Sequence, residues 1–454
     1  MEELLDTIVV WVFRISLGIA MFFSLYKRII SPQSINKDLK ILLARYFTCQ
    51  FALFFASHLQ MPYRYQLFLE KGLVDSQISE IFAYANIAIA IWNLIMPIAL
   101  KKLGHATLCT FVALSYCFNS YLLSSSDKFY LFVISGCISG IAMPTAMMSL
   151  MDFWMSEEML LPEDSNANFV FNEFRVLISL LNSSIASPTS NYIATNYGIK
   201  YVFSFTISIP LASIILITSF LHLQKKPEEK SIGGDFSDLK VFFMENPKNI
   251  SFVFTEIAFY VVVHTMIQRM SSYLFTPTHK PPMGYVQGAY GVLDLIAAQL
   301  FSQISGYMSA TMWTIVIMIA MGFVMTGIVI FYENKIITFL LLGLVSAIIA
   351  SANGIFIQMR KLIYPGRIRN YIMTVVKMPS SLISTVIIYF VKDYNVKSYI
   401  IVSTAVVAWG AVFAYIIHSF EKIETVSKDQ EELLEEPQNI VVEVEEEEEK
   451  KEEV

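Results

Sequence analysis

Charge is what this 454-residue sequence has least of: Asp, Glu, Lys and Arg make up 15% of it, against 55% hydrophobic residues. A soluble chain of this length carries roughly a quarter charged residues. The deficit runs along the whole sequence, which excludes a soluble domain on one anchor and indicates a polytopic membrane protein. Cysteine is nearly as scarce. Cys49, Cys109, Cys117 and Cys137 fall inside apolar runs without zinc-ligand spacing. They read as small packing residues, with neither a metal site nor an oxidised framework expected. There is no His-Glu-x-x-His, Gly-x-Ser-x-Gly, Walker loop or Cys-x-x-Cys, so no enzyme class and no cofactor is indicated. Basic residues lie at the ends of apolar runs and form no patch, which argues against nucleic-acid binding.

What the sequence has instead is a succession of apolar runs near 5–25, 41–62, 77–100, 106–124, 129–151, 172–194, 200–221, 249–271, 285–307, 310–331, 336–357, 370–391 and 398–419. Each is about 20 residues, the length of a membrane-spanning helix, and a closed helix is the form that satisfies its own backbone in lipid. The alternation of a β-barrel is absent. The first run contains Arg14 and is followed by basic residues, so it reads as a retained span and not a cleaved signal. The expected architecture is all-α: an extra N-terminal helix and basic loop (1–40), a six-helix bundle (41–221), a cytoplasmic linker (222–248), a second six-helix bundle (249–420) and a disordered acidic tail (421–454). Two six-helix halves are the layout of major facilitator transporters, whose substrate lies between the halves.

The net charge of −6 belongs to the tail, which alone carries 15 acidic and 4 basic residues. Glu445 to Glu449 stand in a row there, a segment unable to bury a core and a candidate for recruiting a basic protein partner. Lys and Arg concentrate in 26–45, 101–105, 222–248 and 358–369, while the alternate loops hold fewer, among them Arg64, Lys71 and Lys128. The positive-inside rule then places the N-terminus outside and the tail in the cytoplasm, with the plasma membrane as the expected location.

Phe252 to Arg269 is the stretch that points to function. It carries Glu256, Tyr260, His264 and Gln268, each four residues after the last. Spacing of four keeps them on one helical stripe. A carboxylate there cannot face lipid, so the stripe faces protein or a wet cavity. Arg175, Asp294 and Lys377 are the other charges inside later runs. Arg175 and Lys377 occupy equivalent positions in the fifth span of each half, and two converging cations suit an anionic solute. Glu256 or Asp294 is then a candidate proton acceptor. The structural alternative is that Glu256 pairs with Lys377 or Arg175 to hold helices together. Gly136-Cys-Ile-Ser-Gly140 and Gly284-Tyr-Val-Gln-Gly288 are small-residue pairs that permit close helix approach, and Pro97, Pro144 and Pro379 are expected to kink or end helices.

Four stretches together resemble the eukaryotic molybdate-anion transporters of the major facilitator superfamily. Leu59-Gln-Met-Pro-Tyr-Arg-Tyr-Gln-Leu67 is similar to that family's Leu-Gln-Gly-Pro-Tyr-x-Tyr-x-Leu. Ser149-Leu-Met-Asp152-Phe-Trp154 with Glu157 is similar to Ser-Ala-Phe-Glu-x-Trp and its following acid. Phe254-Thr-Glu256-Ile-Ala-Phe-Tyr260 resembles Phe-Glu-x-x-Met-Tyr. Met359-Arg360, Tyr364-Pro365, Ile372-Met373 and Lys377-Met-Pro379 keep the register of Met-Arg, Ile-Pro, Ile-Met and Arg-Ile-Pro. The resemblance implies a major facilitator fold, alternating-access transport of a molybdate-like oxyanion, and Asp152 as a further site residue. There are departures. The superfamily's Asp-x-x-Gly-Arg latch is here Lys101-Lys-Leu-Gly104-His105, an acid corresponds to Ser57, an arginine to Cys137, and a second acid to Ser346. These losses point to the alternative of a transport-inactive scaffold or sensor acting through its tail.

Overall fold

The computed structural model describes residues 2–30, 36–158, 167–221, 242–244, 247–275, 279–364, 369–392 and 397–420, and no strand occurs among them. Most of the expected linker and the whole acidic tail lie outside the described residues. The helices are α1 (Glu2–Ile30), α2 (Lys37–Gln60), α3 (Arg64–Glu70), α4 (Asp75–Ser125), α5 (Phe129–Glu158), α6 (Ala167–Tyr197), α7 (Ile199–Thr206), α8 (Ser208–Leu221), α9 (Pro247–Leu274), α10 (Met283–Ile304), α11 (Ala310–Phe331), α12 (Lys335–Ile363), α13 (Arg369–Val391) and α14 (Lys397–Phe420). Among the described residues ten helices are long and apolar enough to cross a membrane by themselves. The more polar α6, α10 and α13 pack between them.

Local chemistry sets the breaks. α4 folds back on itself at Gly104, whose φ of +76° turns one long helix into two spans. Side-chain oxygens of Asn36, Ser309 and Asn334 accept from Asp38, Met312 and Ile337 backbone N–H groups and start α2, α11 and α12. Helices continue through Pro97, Pro144, Pro188 and Pro379. A proline in a membrane helix is tolerated where neighbours re-satisfy the freed carbonyl.

α2–α8 form one set and α9–α14 another, and α4 against α13 and α6 against α10 make the seam between them. At the seam Gly284, Gly288 and Gly291 of α10 abut Ser187, Ser190 and Ser183 of α6. A Cβ added at Gly284 would lie 2.6 Å from the Ser187 carbonyl oxygen. The other small pair, Gly136 and Gly140, lets α5 press on Ile81 and Ala85 of α4. α1 lies against α10 and α6, with Phe13 ringed to Tyr285 at 5.4 Å. One buried apolar cluster fills the first set around Tyr46, Phe47, Trp154 and Phe171; another runs through the second set and across the seam. Outward-facing Ile98, Phe323, Ile330 and Phe390 stay exposed, as a lipid-facing surface requires. Asp6 of α1 bonds His279 just before α10, so α1 begins at the end where α9 finishes, while α14 finishes at the opposite end.

Candidate functional site

α9 presents its polar stripe to protein along its whole length. Glu256 is 1% exposed, and both of its oxygens are engaged: the Arg360 Nε donates to Oε1 at 2.5 Å and the Tyr364 hydroxyl donates to Oε2 at 2.5 Å. The Arg360 Nη2 donates to the Tyr260 hydroxyl at 2.5 Å. These are contacts between α9 and the far end of α12, both in the second set. Lys377 of α13 brings its Nζ to 5.7 Å from the Tyr260 ring centre and lies near enough to His264 to act on it electrostatically. No carboxylate among the described residues forms an ion pair with Lys377. Glu256 and Arg360 cancel, so the cluster keeps one positive charge, on Lys377.

The remaining stripe residue leaves the second set. Gln268 and Asn86 of α4 exchange amide hydrogen bonds at 2.7 and 3.3 Å. Beside them Arg269, wholly buried, donates to Asp75 at 2.5 Å and to Ser79 at 3.0 Å, with its guanidinium 4.7 Å from the Tyr399 ring centre. The Tyr65 hydroxyl donates to the other Asp75 oxygen at 2.7 Å. Lys392 pairs with Glu80 at 2.5 Å, Lys280 with Glu70 at 3.5 Å, and the Gly284 N–H donates to the Tyr63 hydroxyl. These bonds gather at one end of the seam and close the two sets against each other there.

Asp294 lies apart. It is half-buried on α10 and accepts from the Ser346 hydroxyl of α12 at 2.5 Å. Two positions that stood separately in the sequence, a new acid and a lost one, are therefore bonded neighbours. Arg175 and Asp152 sit on α6 and α5, but their side chains lie outside the described residues. Glu256 does not pair with Lys377; its partners among the described residues are Arg360 and Tyr364, which α12 and the residue after it supply because the helix runs to Ile363, beyond the expected end at 357.

Sequence reasoning also missed Arg64. In sequence it reads as a loop cation, yet the helix resumes after Pro62 and Arg64 reaches back to donate to Ser139 of α5 at 3.0 Å. Its Nε is buried and has no partner among the described residues. The Tyr116 hydroxyl, which donates to the Met143 Sδ at 3.7 Å, is a nearby polar group. Gln60 and Arg64 lie four apart, which was the available signal. Among the described residues no cluster of metal-ligating side chains occurs.

The fold can now be set beside known structures. The chain is similar to a D-xylose-proton symporter at 13% identity, covering 83% of this chain and 97% of that one with a TM-score of 0.63. It is similar to a peptide transporter solved with alafosfalin at 11% identity, 84% and 94% coverage and a TM-score of 0.66. A nucleoside transporter, NupG, matches at 12% identity, 85% and 100% coverage and a TM-score of 0.58. No protein-family model matches the sequence, and no curated protein matches it significantly. At this identity the likeness defines architecture: the chain has the all-α, multi-pass major facilitator fold.

Proposed function

We propose that the chain is a secondary transporter that moves a small anion by alternating access between its two six-helix sets. The observation that carries this reading is an excess of cations in the membrane interior. Among the described residues Lys377 in the second set has no carboxylate partner, and Arg64 in the first set is bonded to a neutral serine with one nitrogen unmet. An unneutralised cation at membrane depth is unfavourable unless water or a counter-anion reaches it. A solute carrying negative charge supplies that neutralisation. Tyr260, bonded to Arg360 and facing Lys377, is placed to orient such a solute.

Glu256 takes a positioning role, because Arg360 and Tyr364 engage both of its oxygens. Asp294, whose hydrogen-bond partner among the described residues is a serine, is the better candidate for carrying a proton. A molybdate-like oxyanion is the finer assignment, resting on the resemblance of the four stretches. By the distribution of Lys and Arg, the closed end faces outward, the acidic tail faces the cytoplasm, and the plasma membrane is the location we favour. The rival reading, a transport-inactive scaffold, draws on the missing latch signature and on the tight satisfaction of Glu256.

Uptake into vesicles reconstituted with the full chain decides between them. Radiolabelled molybdate, sulfate and phosphate are the probes. Transport predicts concentrative uptake of at least one, reduced more than tenfold in Lys377→Gln and kept by a variant truncated after Phe420. Absence of uptake for every oxyanion from well-folded protein, or uptake indifferent to Lys377→Gln, refutes the anion reading.

A further inference from the structure

One charge in the membrane interior plays no part in that site. α1 buries Leu5, Val9, Phe13, Ser16 and Ala20 toward α10 and α6. At 100° per residue the opposite face comprises Leu4, Trp11, Arg14, Ile15, Gly18 and Phe22. Trp11, Ile15 and Phe22 are 55%, 57% and 63% exposed, Arg14 is also exposed, and Gly18 has nothing within 4 Å of a built Cβ.

Asp6 and Lys27 bracket the apolar part of α1. They stand 21 residues apart in the sequence, about 31 Å at 1.5 Å per residue, which matches the hydrocarbon core. Arg14 lies eight residues below Asp6, about 12 Å deep. An arginine extended toward the nearer surface covers about half of that depth. Its guanidinium instead lies 5.7 Å from the Trp11 ring centre, one turn above, still within the apolar layer. A charged side chain on a lipid-facing surface at this depth is unfavourable until an acid meets it.

We propose that this outer face of α1 docks a transmembrane helix of a different polypeptide, one carrying a carboxylate at the depth of Arg14. Gly18, one turn beyond Arg14, lets the partner backbone approach closely, as small residues do in membrane helix pairs. The charge selects the occupant. A second copy of this chain would meet α1 with α1 across a two-fold axis along the membrane normal, setting Arg14 against Arg14. Like charges at that depth repel, so self-association through this face is disfavoured.

The test uses full-length protein in phosphatidylcholine vesicles with synthetic single-span Leu/Ala peptides, fluorescently labelled. One peptide has Asp about 12 Å below the outer boundary, one has Leu there, and one has Asp moved two turns deeper. Energy transfer should report about tenfold tighter association of the first than of either other peptide, the size of one buried interhelical polar contact. Arg14→Leu should abolish the preference, Arg14→Lys should keep it, and Gly18→Leu should weaken it. The side chain of Arg14 is exposed, so these variants should retain the fold, which monodisperse elution verifies. Equal association of the Asp and Leu peptides, a preference surviving Arg14→Leu, or disulfide-linked homodimers formed by Gly18→Cys would overturn the proposal.

Discussion

Replacing Asp75 with asparagine leaves the closed end of the seam its shape and removes one charge. Arg269 is fully buried and has Asp75 as its carboxylate, while the Asp75 side chain is 36% exposed. Breaking a buried ion pair from one side typically costs about 3–5 kcal/mol, because the remaining charge loses its compensation. The partial hydration of Asp75, the retained hydrogen bond to Ser79 and the cation–π contacts with the Tyr65 and Tyr399 rings argue for the low end, about 3 kcal/mol. Because Arg269 and Asp75 belong to different sets, that loss falls on the closed-end conformation and not on either set alone. At about 1.4 kcal/mol per decade, the closed state should lose roughly 100-fold in population relative to one opened at this end. Spin labels at Tyr197→Cys and Phe331→Cys, exposed on the first and second sets near this end, read the change as a distance distribution. Cys117 and Cys137, which are partly exposed, are replaced first. Asp75→Asn should move the population to a longer distance, and Lys392→Gln should do so by a smaller factor. An Asp75→Asn distribution identical to that of the parent protein would refute the view that this ion pair holds the end shut.

Two further outcomes follow from the packing. Gly284→Val places a methyl-bearing carbon 2.6 Å from a backbone oxygen of α6 and should destabilise the protein by about 1–3 kcal/mol, seen as an earlier thermal unfolding in detergent. Gly136→Ala meets a side-chain methyl of Ile81 at 2.8 Å and its backbone oxygen only at 3.3 Å, and its shift should be smaller. Glu256→Gln strands the 7% exposed Arg360 and should cost about 3–5 kcal/mol, whereas the double variant Glu256→Leu with Arg360→Met should recover most of it. A Glu256→Gln protein that melts with the parent would mean the pair is not structural.

The all-α class and the long succession of apolar helices were legible because a membrane leaves a chain few choices: each run of about 20 apolar residues must close its own hydrogen bonds. The partners of the polar residues were not legible, and the errors share one cause. Apolarity marks where a span meets water, but the helix continues past that mark. Arg360 lay beyond the expected end of its run and read as a topology signal; α12 carries it onward and turns it back to Glu256. Arg64 lay beyond Pro62 and read as a loop cation, though α3 starts there and aims it at Ser139. Losses read along one helix were also compensated on another. Ser346 stands where the resemblance expects an acid, and Asp294 faces it from α10; Cys137 stands where it expects an arginine, and Arg64 reaches Ser139, two residues on. A single sequence records what each position lost and is silent about which position faces it.

The distribution of water along these bonds fits the motion that alternating access requires. Contacts inside the second set are dry: Glu256 and the Arg360 side chain are 1% and 8% exposed, so separating them would leave charges without solvent. Two of the seam pairs are wet, with Lys392 and Glu80 at 16% and 29% and Lys280 and Glu70 at 46% and 40%. Water can replace each partner there, so these contribute about 0–1 kcal/mol apiece and are readily broken and remade. Arg269 is the exception, a dry cation in a wet seam, and it sits on the same helix as Glu256. α9 is thus bound to α12 by a pair too costly to part and to α4 through Arg269, while the readily broken pairs of the seam lie at the end of α13 and before α10. A rotation of the second set about the seam would carry α9 with it as a rigid strut, drawing Arg269 away from Asp75 while Tyr260 stays bonded to Arg360. The barrier to opening is then concentrated on one ion pair at one end of the helix that bears the candidate site at its other end.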